Sequence, residues 1–299
     1  MAFVTAKREQ VWLKILISGP SGAGKSYSAL RVATGLAKKC NSRIAYIGTE
    51  GSRDKYYADD FEYDLDQLEA PYSIDKYMNS INDAISAGYK VLIIDSISHE
   101  WQWLNDTHDK MPGNSFQNWG KLKPKHKTFM DSILHSPIHV IACARGKTEW
   151  LLEDKNGKQV PKKVGMGQVQ DKDISYDYTV SFMLDQDTHI ASSDKDNTKI
   201  YDQRYEVLTE KDGEMLYEWA NKSDIPATVK KMPTETNQDS DDDLKSIRSE
   251  IVTLAKELAA NDKDTVMATI KKYVSSGNPN GIKDISMAQQ LLDDLKALA

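Results

Sequence analysis

The 299-residue sequence is poor in the features that support several classes of protein. It has only two cysteines, Cys40 and Cys143, and their spacing fits no metal-binding or redox pattern. Its longest apolar runs, such as VLII and VIACA, are only as long as a strand, so no segment is expected to span a membrane. The stretch MAFVTAKREQ has no secretory apolar segment, which predicts a cytoplasmic protein.

Glycine accounts for only 16 residues, yet three of them fall within the stretch GPSGAGKS. The stretch fits the pattern Gly-x-x-x-x-Gly-Lys-Ser, in which backbone N–H groups turn towards a polyphosphate and the following helix adds its partially positive N-terminus. A strand-like run, VWLKILISG, precedes it and helical spacing follows, a context that a glycine-rich surface turn would not need. We therefore predict a nucleotide-binding loop of these residues: Gly19, Pro20, Ser21, Gly22, Ala23, Gly24, Lys25, Ser26 and Tyr27.

Two side chains of this loop have predicted roles around ATP and Mg²⁺. Lys25 is expected to reach the β- and γ-phosphates, and the Ser26 hydroxyl is expected to bind Mg²⁺. Asp95 ends the strand-like run VLIID, where a carboxylate can orient Mg²⁺ through its water shell. Ser96 rather than a glutamate follows Asp95, so the group that activates the attacking water must come from elsewhere in the chain.

The chain up to about residue 222 alternates short β-rich runs with helical patterns, which is typical of an α/β protein with a mostly parallel sheet flanked by helices. Runs at 43–48, 91–95 and 138–144 predict buried parallel strands. The later runs DYTVSFMLD and THIASSD predict an antiparallel pair, and Asn156-Gly157 predicts a tight hairpin turn.

The remainder of the chain has a different composition. Residues 223–243 are polar, contain two prolines and end in a run of acids, which predicts a flexible linker. After them, apolar residues recur at steps of three and four. The predicted domains are therefore a core at 1–222, an acidic linker at 223–243, and a small module of two or three helices at 244–299.

The charge is distributed unevenly. The net charge is −6, but the segment from Lys121 to Lys172 has eleven Lys or Arg and only five Asp or Glu, so it carries +6 and the rest carries −12. This asymmetry predicts one basic face on an acidic protein, suited to a nucleic-acid phosphate backbone. Lysines scattered over a solvated surface would explain the counts as well. The candidates for DNA contact are Lys121, Lys123, Lys125, Lys162 and Lys163.

Several stretches together resemble the RecA-like recombination ATPases encoded by bacteriophages, in particular the Sak group associated with single-strand annealing. They are GPSGAGKSYSALRVATGLA, IAYIGTEGS, VLIIDSISHEW, WGKLKPKHKTFMDSILHSPIHVIACARGKTEW and KKVGMGQVQ. The similarity covers residues 10–220 and is weak or absent beyond the linker. It implies a RecA-like P-loop NTPase core, in which the strand after the P-loop helix ends in the catalytic base. That position is Glu50, which would act together with Lys25.

The same resemblance implies a coupling role for Arg145 and Lys147. RecA proteins carry at the position of Arg145 a glutamine that senses the γ-phosphate and begins a mobile DNA-binding loop, and the segment from Gly146 to Gly167 resembles that loop. The sequence has Asp171 and Asn197 where the Sak group has arginines. Activation of one subunit by its neighbour is therefore left open.

The leading hypothesis is a DNA-dependent ATPase that assembles as a filament or ring on single-stranded DNA and promotes annealing or strand exchange. It would act in phage recombination or replication, in the host cytoplasm, with a single-stranded-DNA-binding protein or another recombination protein as a further partner. The alternative is a nucleotide-gated loader or regulatory protein whose helical module binds a partner. A P-loop small-molecule kinase is disfavoured because no arginine-rich lid segment follows.

Overall fold

The computed structural model describes residues 5–155, 158–170, 174–230, 232–233, 237–259, 262–274, 277–282, 285–296 and 298. The chain forms two compact units, Met1–Pro233 and Thr234–Ala299. The larger unit contains the predicted nucleotide-binding loop.

A mostly parallel sheet forms the centre of the larger unit. Its strands run in the order β3-β2-β4-β5-β1-β7-β8, and β6 pairs with β5 alone. The pairs are parallel except β5–β6 and β7–β8, which are antiparallel. The strands are β1 (Lys14–Gly19), β2 (Ile44–Gly48), β3 (Asp64–Gln67), β4 (Val91–Asp95), β5 (His139–Lys155), β6 (Lys158–Gln168), β7 (Val180–Leu184) and β8 (Ala191–Asp196).

Helices cover both faces of this sheet. They are α1 (Lys25–Cys40), α2 (Ile74–Ser86), α3 (Ser98–Lys110), α4 (Ser115–Leu134) and α5 (Glu210–Ala220). Successive side chains of β1 alternate between two buried apolar clusters: Ile15 and Ile17 belong to the cluster that includes α1 and α5, and Leu16 belongs to the other. The predicted parallel α/β core is confirmed, as is the late antiparallel pair β7–β8.

An asparagine cap sets the start of α4, the helix that carries the lysines at 121–127. The side chain of Asn114 accepts hydrogen bonds from the N–H groups of Phe116 (2.8 Å) and Gln117 (3.4 Å), and this cap starts the helix at Ser115. Pro124 therefore lies inside the helix. The lysines around Pro124 therefore lie in the middle of the helix, because the Asn114 cap ten residues before Pro124 sets the helix start.

The segment that the resemblance implies to be a DNA-binding loop, Gly146 to Gly167, forms most of the β5–β6 hairpin. Its antiparallel register runs from Gly146 paired with Gln168 to Lys155 paired with Lys158. The two residues of the predicted turn, 156–157, lie outside the described residues. Strand-forming residue types such as Thr148 and Val160 flank the Asn-Gly sequence, and together they favour a long regular hairpin.

The smaller unit consists of α6 (Asn237–Ala259), α7 (Lys263–Tyr273), a short 3-10 helix (Pro279–Gly281) and α8 (Ile285–Lys296). It has its own apolar core, which includes Ile251, Ile270, Leu291 and Leu295. Helix α6 begins inside the stretch predicted as a linker. Among the described residues, no helix is long and apolar enough to cross a bilayer.

Candidate nucleotide-binding site

The loop between β1 and α1 has the backbone conformation that a phosphate cradle requires. Gly22 and Gly24 have φ angles of 83° and 84°, a left-handed region that favours glycine. Gly24 is also the N-cap of α1 and supplies no side chain to the first turn. The first N–H groups of the helix are thus left for an anionic ligand, whose charge the helix dipole also favours.

The polar side chains of the loop meet the end of β4. Lys25 Nζ donates a hydrogen bond of 2.9 Å to the carbonyl of Pro20. The Ser26 hydroxyl donates one of 2.5 Å to Asp95 Oδ2, and the Tyr46 hydroxyl donates one of 2.9 Å to the same oxygen. Asp95 is buried, and burial raises the pKa of its carboxyl despite the two donors.

These side chains fit a Mg²⁺ ion that is bound together with phosphates. The Ser26 hydroxyl and the Asp95 carboxylate are hard oxygen donors on one wall of the cleft. Within the described part of the chain, no group of three or more His, Cys, Asp or Glu side chains could hold a metal ion by itself. A Mg²⁺ ion is usually bound by one or two protein ligands and completed by substrate phosphates and water.

Glu50 follows β2, next to the end of β4, and is held by two arginines. Its Oε1 accepts hydrogen bonds from Arg145 Nη2 (2.7 Å) and Nε (3.2 Å). Arg53 Nη1 lies 3.8 Å from Oε2. The Glu50 side chain is only 18% exposed, so this ion pair is partly shielded from solvent. The structure therefore brings Glu50 and Arg145, both predicted from the sequence, into direct contact.

The cleft in front of these groups has a volume of about 920 Å³. Every parallel strand ends at the same edge of the sheet, which is why the P-loop, the β2 end, the β4 end and the β5 exit meet there. The cleft is also lined by three aromatic side chains, Tyr27, Tyr56 and Tyr57. The cleft is large enough for a nucleoside triphosphate.

Tyr46, Asp54 and His189 are among the cleft residues that were not singled out from the sequence. Asp54 is buried in a short 3-10 helix (Gly51–Lys55), where its Oδ1 accepts a hydrogen bond of 3.2 Å from the Glu50 N–H. Burial raises the pKa of Asp54 to about 6. Of the three, only Tyr46 could have been found from the sequence, because the alternation of side chains along β2 fixes the face on which it lies. The positions of Asp54 and His189 depend on turns, which leave no periodic pattern in the sequence.

His99, at the start of α3, contacts Thr49, the residue before Glu50. Its Nδ1 is 2.7 Å from Thr49 Oγ1, and its ring stacks on Tyr72 with 4.7 Å between the ring centres. Burial lowers the pKa of His99, and the nearby Arg145 lowers it further. These contacts favour a neutral imidazole that packs against the strand end.

The candidates for DNA contact lie outside the cleft as far as the chain is described. Lys121 and Lys123 are exposed on α4, and Lys125 is half-buried there. Lys147 is on β5, and Lys162 and Lys163 are on β6; their side chains lie outside the described residues. Asp171 and Asn197 are the two positions that depart from the Sak pattern. Asp171 lies outside the described residues, and the Asn197 N–H donates to the carbonyl of Thr179 at 3.1 Å.

Residues 12–202, well over half of the chain, match the family described as AAA domain. The chain belongs to this family of P-loop NTPases. Among curated proteins, no sequence is significantly similar to it. The family match does not change the prediction of the catalytic base. Because Ser96 rather than a glutamate follows Asp95, Glu50 remains the predicted base.

Two solved structures are similar at low sequence identity. A KaiC-like protein from the hyperthermophilic archaeon Pyrococcus horikoshii OT3 is 12% identical, with a TM-score of 0.37 over 63% of this chain and 81% of that one. The genome packaging NTPase of Sulfolobus turreted icosahedral virus 2, in complex with sulfate, is also 12% identical, with a TM-score of 0.33 over 58% and 74%.

Proposed function

We propose that the chain is an ATP-binding and ATP-hydrolysing RecA-like protein that acts on single-stranded DNA in phage recombination or replication, by annealing or strand exchange. The observation that supports this most is the position of Arg145. Its side chain contacts Glu50 in the cleft, and its backbone is continuous with the β5–β6 hairpin. The segment 145–168 contains six Lys or Arg against three Asp or Glu, a composition suited to a phosphate backbone.

The cleft residues divide the chemistry of ATP hydrolysis among them. Lys25 and the N-terminus of α1 bind the β- and γ-phosphates, and Ser26 and Asp95 would hold a Mg²⁺ ion, which would neutralise phosphate charge. Glu50 accepts a proton from the water whose oxygen forms a bond to the γ-phosphorus. The bond between that phosphorus and the bridging oxygen breaks, and ADP and phosphate leave. Lys25 stabilises the charge that develops on the phosphate oxygens.

The wider biological setting of the proposal rests on the resemblance to the Sak group. The protein would assemble as a homo-oligomer, a filament or a ring, on single-stranded DNA in the cytoplasm of the phage host. A single-stranded-DNA-binding protein or another recombination protein would be a further partner.

A nucleotide-gated loader or regulatory protein is the second candidate. The smaller unit favours this function, because it is compact, has its own apolar core and lies outside the residues that match the family. In such a protein the three helices would bind a partner, and hydrolysis would time its release.

The decisive experiment measures steady-state ATPase activity without DNA, with single-stranded oligonucleotides, and with duplex of the same sequence. Under the first function we expect a several-fold rise with single strands and a smaller one with duplex. The Lys25→Ala variant is the control, because any rate that survives in it comes from contamination. A wild-type rate that does not respond to either DNA would favour the loader or regulator.

A further inference from the structure

We infer, building on the proposed function, that Arg145 is a positioning residue that restrains the predicted base Glu50 until the β5–β6 hairpin moves. In this arrangement the nucleotide site hydrolyses ATP slowly by itself. Single-stranded DNA that binds the hairpin would withdraw Arg145 and free the carboxylate.

The contacts of Glu50 show how the restraint works. Oε1 accepts two hydrogen bonds from a single guanidinium, and Oε2 faces the cation of Arg53. A general base must offer a lone pair to the attacking water and gain a proton from it. Oε1 cannot offer a lone pair to the water while two hydrogen bonds from Arg145 occupy it. The Glu50 carboxylate therefore lies in the cleft where a base is needed, but its oxygens are occupied by Arg145 and Arg53.

The backbone of Arg145 connects this restraint to the hairpin. Its N–H donates to Ser98 Oγ at 2.9 Å, and its carbonyl accepts from the N–H of Val169 at 2.6 Å. Val169 directly follows the last residue of β6, so the two ends of the hairpin are joined at Arg145. A displacement of either strand at its base thus moves the residue whose guanidinium holds Glu50.

The hairpin base also touches the phosphate loop. A Cβ atom on Gly146 would lie 2.8 Å from the carbonyl carbon of Gly19, so only glycine allows the two backbones to approach this closely. Gly19 and Arg145 are paired in the β1–β5 register. Nucleotide in the loop and DNA on the hairpin can therefore act on the same short segment, which is the structural requirement for coupling the two ligands.

The test compares kcat of wild type with that of Arg145→Ala, Arg145→Lys and Arg43→Ala, each without and with single-stranded DNA. Arg43 is a matched control, because it forms an exposed ion pair with Asp64 and does not line the cleft. Removing a partly shielded ion pair should raise the DNA-free kcat of Arg145→Ala about two- to fivefold. Single-stranded DNA should add little to that rate. Arg145→Lys, which keeps a cation, and Arg43→Ala should stay near wild type.

The outcomes separate this inference from the proposed function. If wild type is stimulated by single-stranded DNA but Arg145→Ala is slower than wild type or equal to it, Arg145 does not restrain Glu50 and the inference is overturned while the function stands. If wild type hydrolyses ATP without responding to DNA, the proposed function fails, and the DNA-free comparison still decides the restraint. No wild-type hydrolysis overturns both. Should Arg145→Ala melt early, Arg145→Gln replaces it, since glutamine removes the charge with less loss of packing.

Discussion

His126 Nδ1 lies 3.1 Å from Oε1 of Glu100, and the Glu100 side chain is completely buried between α3 and α4. Gln170, just beyond β6, donates to the other carboxylate oxygen at 3.5 Å. Glu100 follows Asp95 by only five residues, yet it contacts packing partners, whereas Glu50 faces the cleft. Glu50 and Glu100 are therefore expected to have different roles, one in the cleft and one in packing.

Glu50→Gln should retain ATP binding and slow hydrolysis by roughly a hundredfold or more, which is the usual contribution of a positioned base. Glutamine is nearly isosteric with glutamate, so the fold should survive. Single-turnover hydrolysis together with nucleotide binding would measure the two effects separately.

Glu100→Gln is the matched variant for that experiment. It removes a buried charge that His126 and Gln170 contact, so we expect a lower melting temperature and a hydrolysis rate close to wild type. If Glu100→Gln stalls hydrolysis and Glu50→Gln does not, the assignment of the base to Glu50 is wrong.

Lys25→Ala should abolish tight ATP binding. The ammonium group is the nearest cation that the loop offers to the β- and γ-phosphates, and its loss leaves their charge uncompensated. Calorimetric titration of the purified variant with ATP and Mg²⁺ would measure the loss, and a wild-type circular dichroism spectrum would show that the fold is intact. Unchanged affinity would contradict the entire assignment of the phosphate site.

The parts of the site that follow from local sequence were predictable. A strand, a glycine-rich loop and a helix can be recognised from periodicity and spacing, and Asp95 ends a run that reads as a buried strand. Glu50 was predicted through the resemblance to RecA-like ATPases. The contact between Arg145 and Glu50 was not predictable in this way. It joins residues 95 positions apart and depends on side-chain conformation.

The burial of Asp54 shows the same limit. Its sequence neighbourhood, GSRDKYY, reads as an exposed polar turn. The carboxylate is buried because a 3-10 turn folds it back over Gly48, where a Cβ atom would come within 2.4 Å of Asp54 Oδ2. A glycine that creates space for a residue six positions later leaves no periodic signal.

That burial predicts a pH dependence of stability. The pKa of Asp54 is about 6 in the folded state, against 3.8 ordinarily, so the folded state binds more protons between those values. The free energy of unfolding should therefore fall as pH rises through this window. The Asp54→Asn variant should not lose stability in this way, because asparagine does not titrate. Its side-chain oxygen can still accept the hydrogen bond from the Glu50 N–H. The variant should gain about 1–3 kcal/mol over wild type by pH 7.

Urea unfolding of both proteins at pH 4, 5, 6 and 7 would measure that gain. All other titrating groups, including those of the smaller unit, are common to the two proteins and cancel in the difference. A difference that does not change between pH 4 and pH 7 would show that Asp54 is not responsible.

The crossing of α1 and α5 gives a prediction about stability alone. A Cβ atom on Gly35 would lie 1.9 Å from the carbonyl oxygen of Glu210, so the helices must move apart to accept Gly35→Ala. We expect a loss of about 1–3 kcal/mol in the free energy of unfolding, the usual cost of overpacking. Gly120→Ala, at a position in α4 with open space around it, should gain up to about 1 kcal/mol from helix propensity. Equal effects of the two substitutions in urea unfolding would contradict the close helix contact.

The salt dependence of DNA binding tests the hairpin itself, in a protein whose net charge of −6 opposes such binding. If Lys162 and Lys163 on β6 contact phosphates, the affinity for single-stranded DNA should fall steeply with salt, with a slope of about −0.7 per neutralised phosphate. Replacing both lysines with alanine should then flatten that slope by up to about 1.4, because two contacts are lost. A salt titration of fluorescent oligonucleotide binding, with nucleotide present, would compare the two proteins.

The matched double variant, with Lys121 and Lys123 of α4 replaced by alanine, determines whether any loss of positive charge has the same effect. Because both pairs remove two charges, a long-range field would make the two slopes change equally, whereas phosphate contact at the hairpin alone changes only the Lys162 and Lys163 slope. ATP affinity without DNA should be unchanged in both variants, since none of the four lysines belongs to the phosphate loop. Binding that ignores salt, or no binding at any salt, would exclude a phosphate-tracking hairpin and favour a partner protein on the helices from residue 237 onwards.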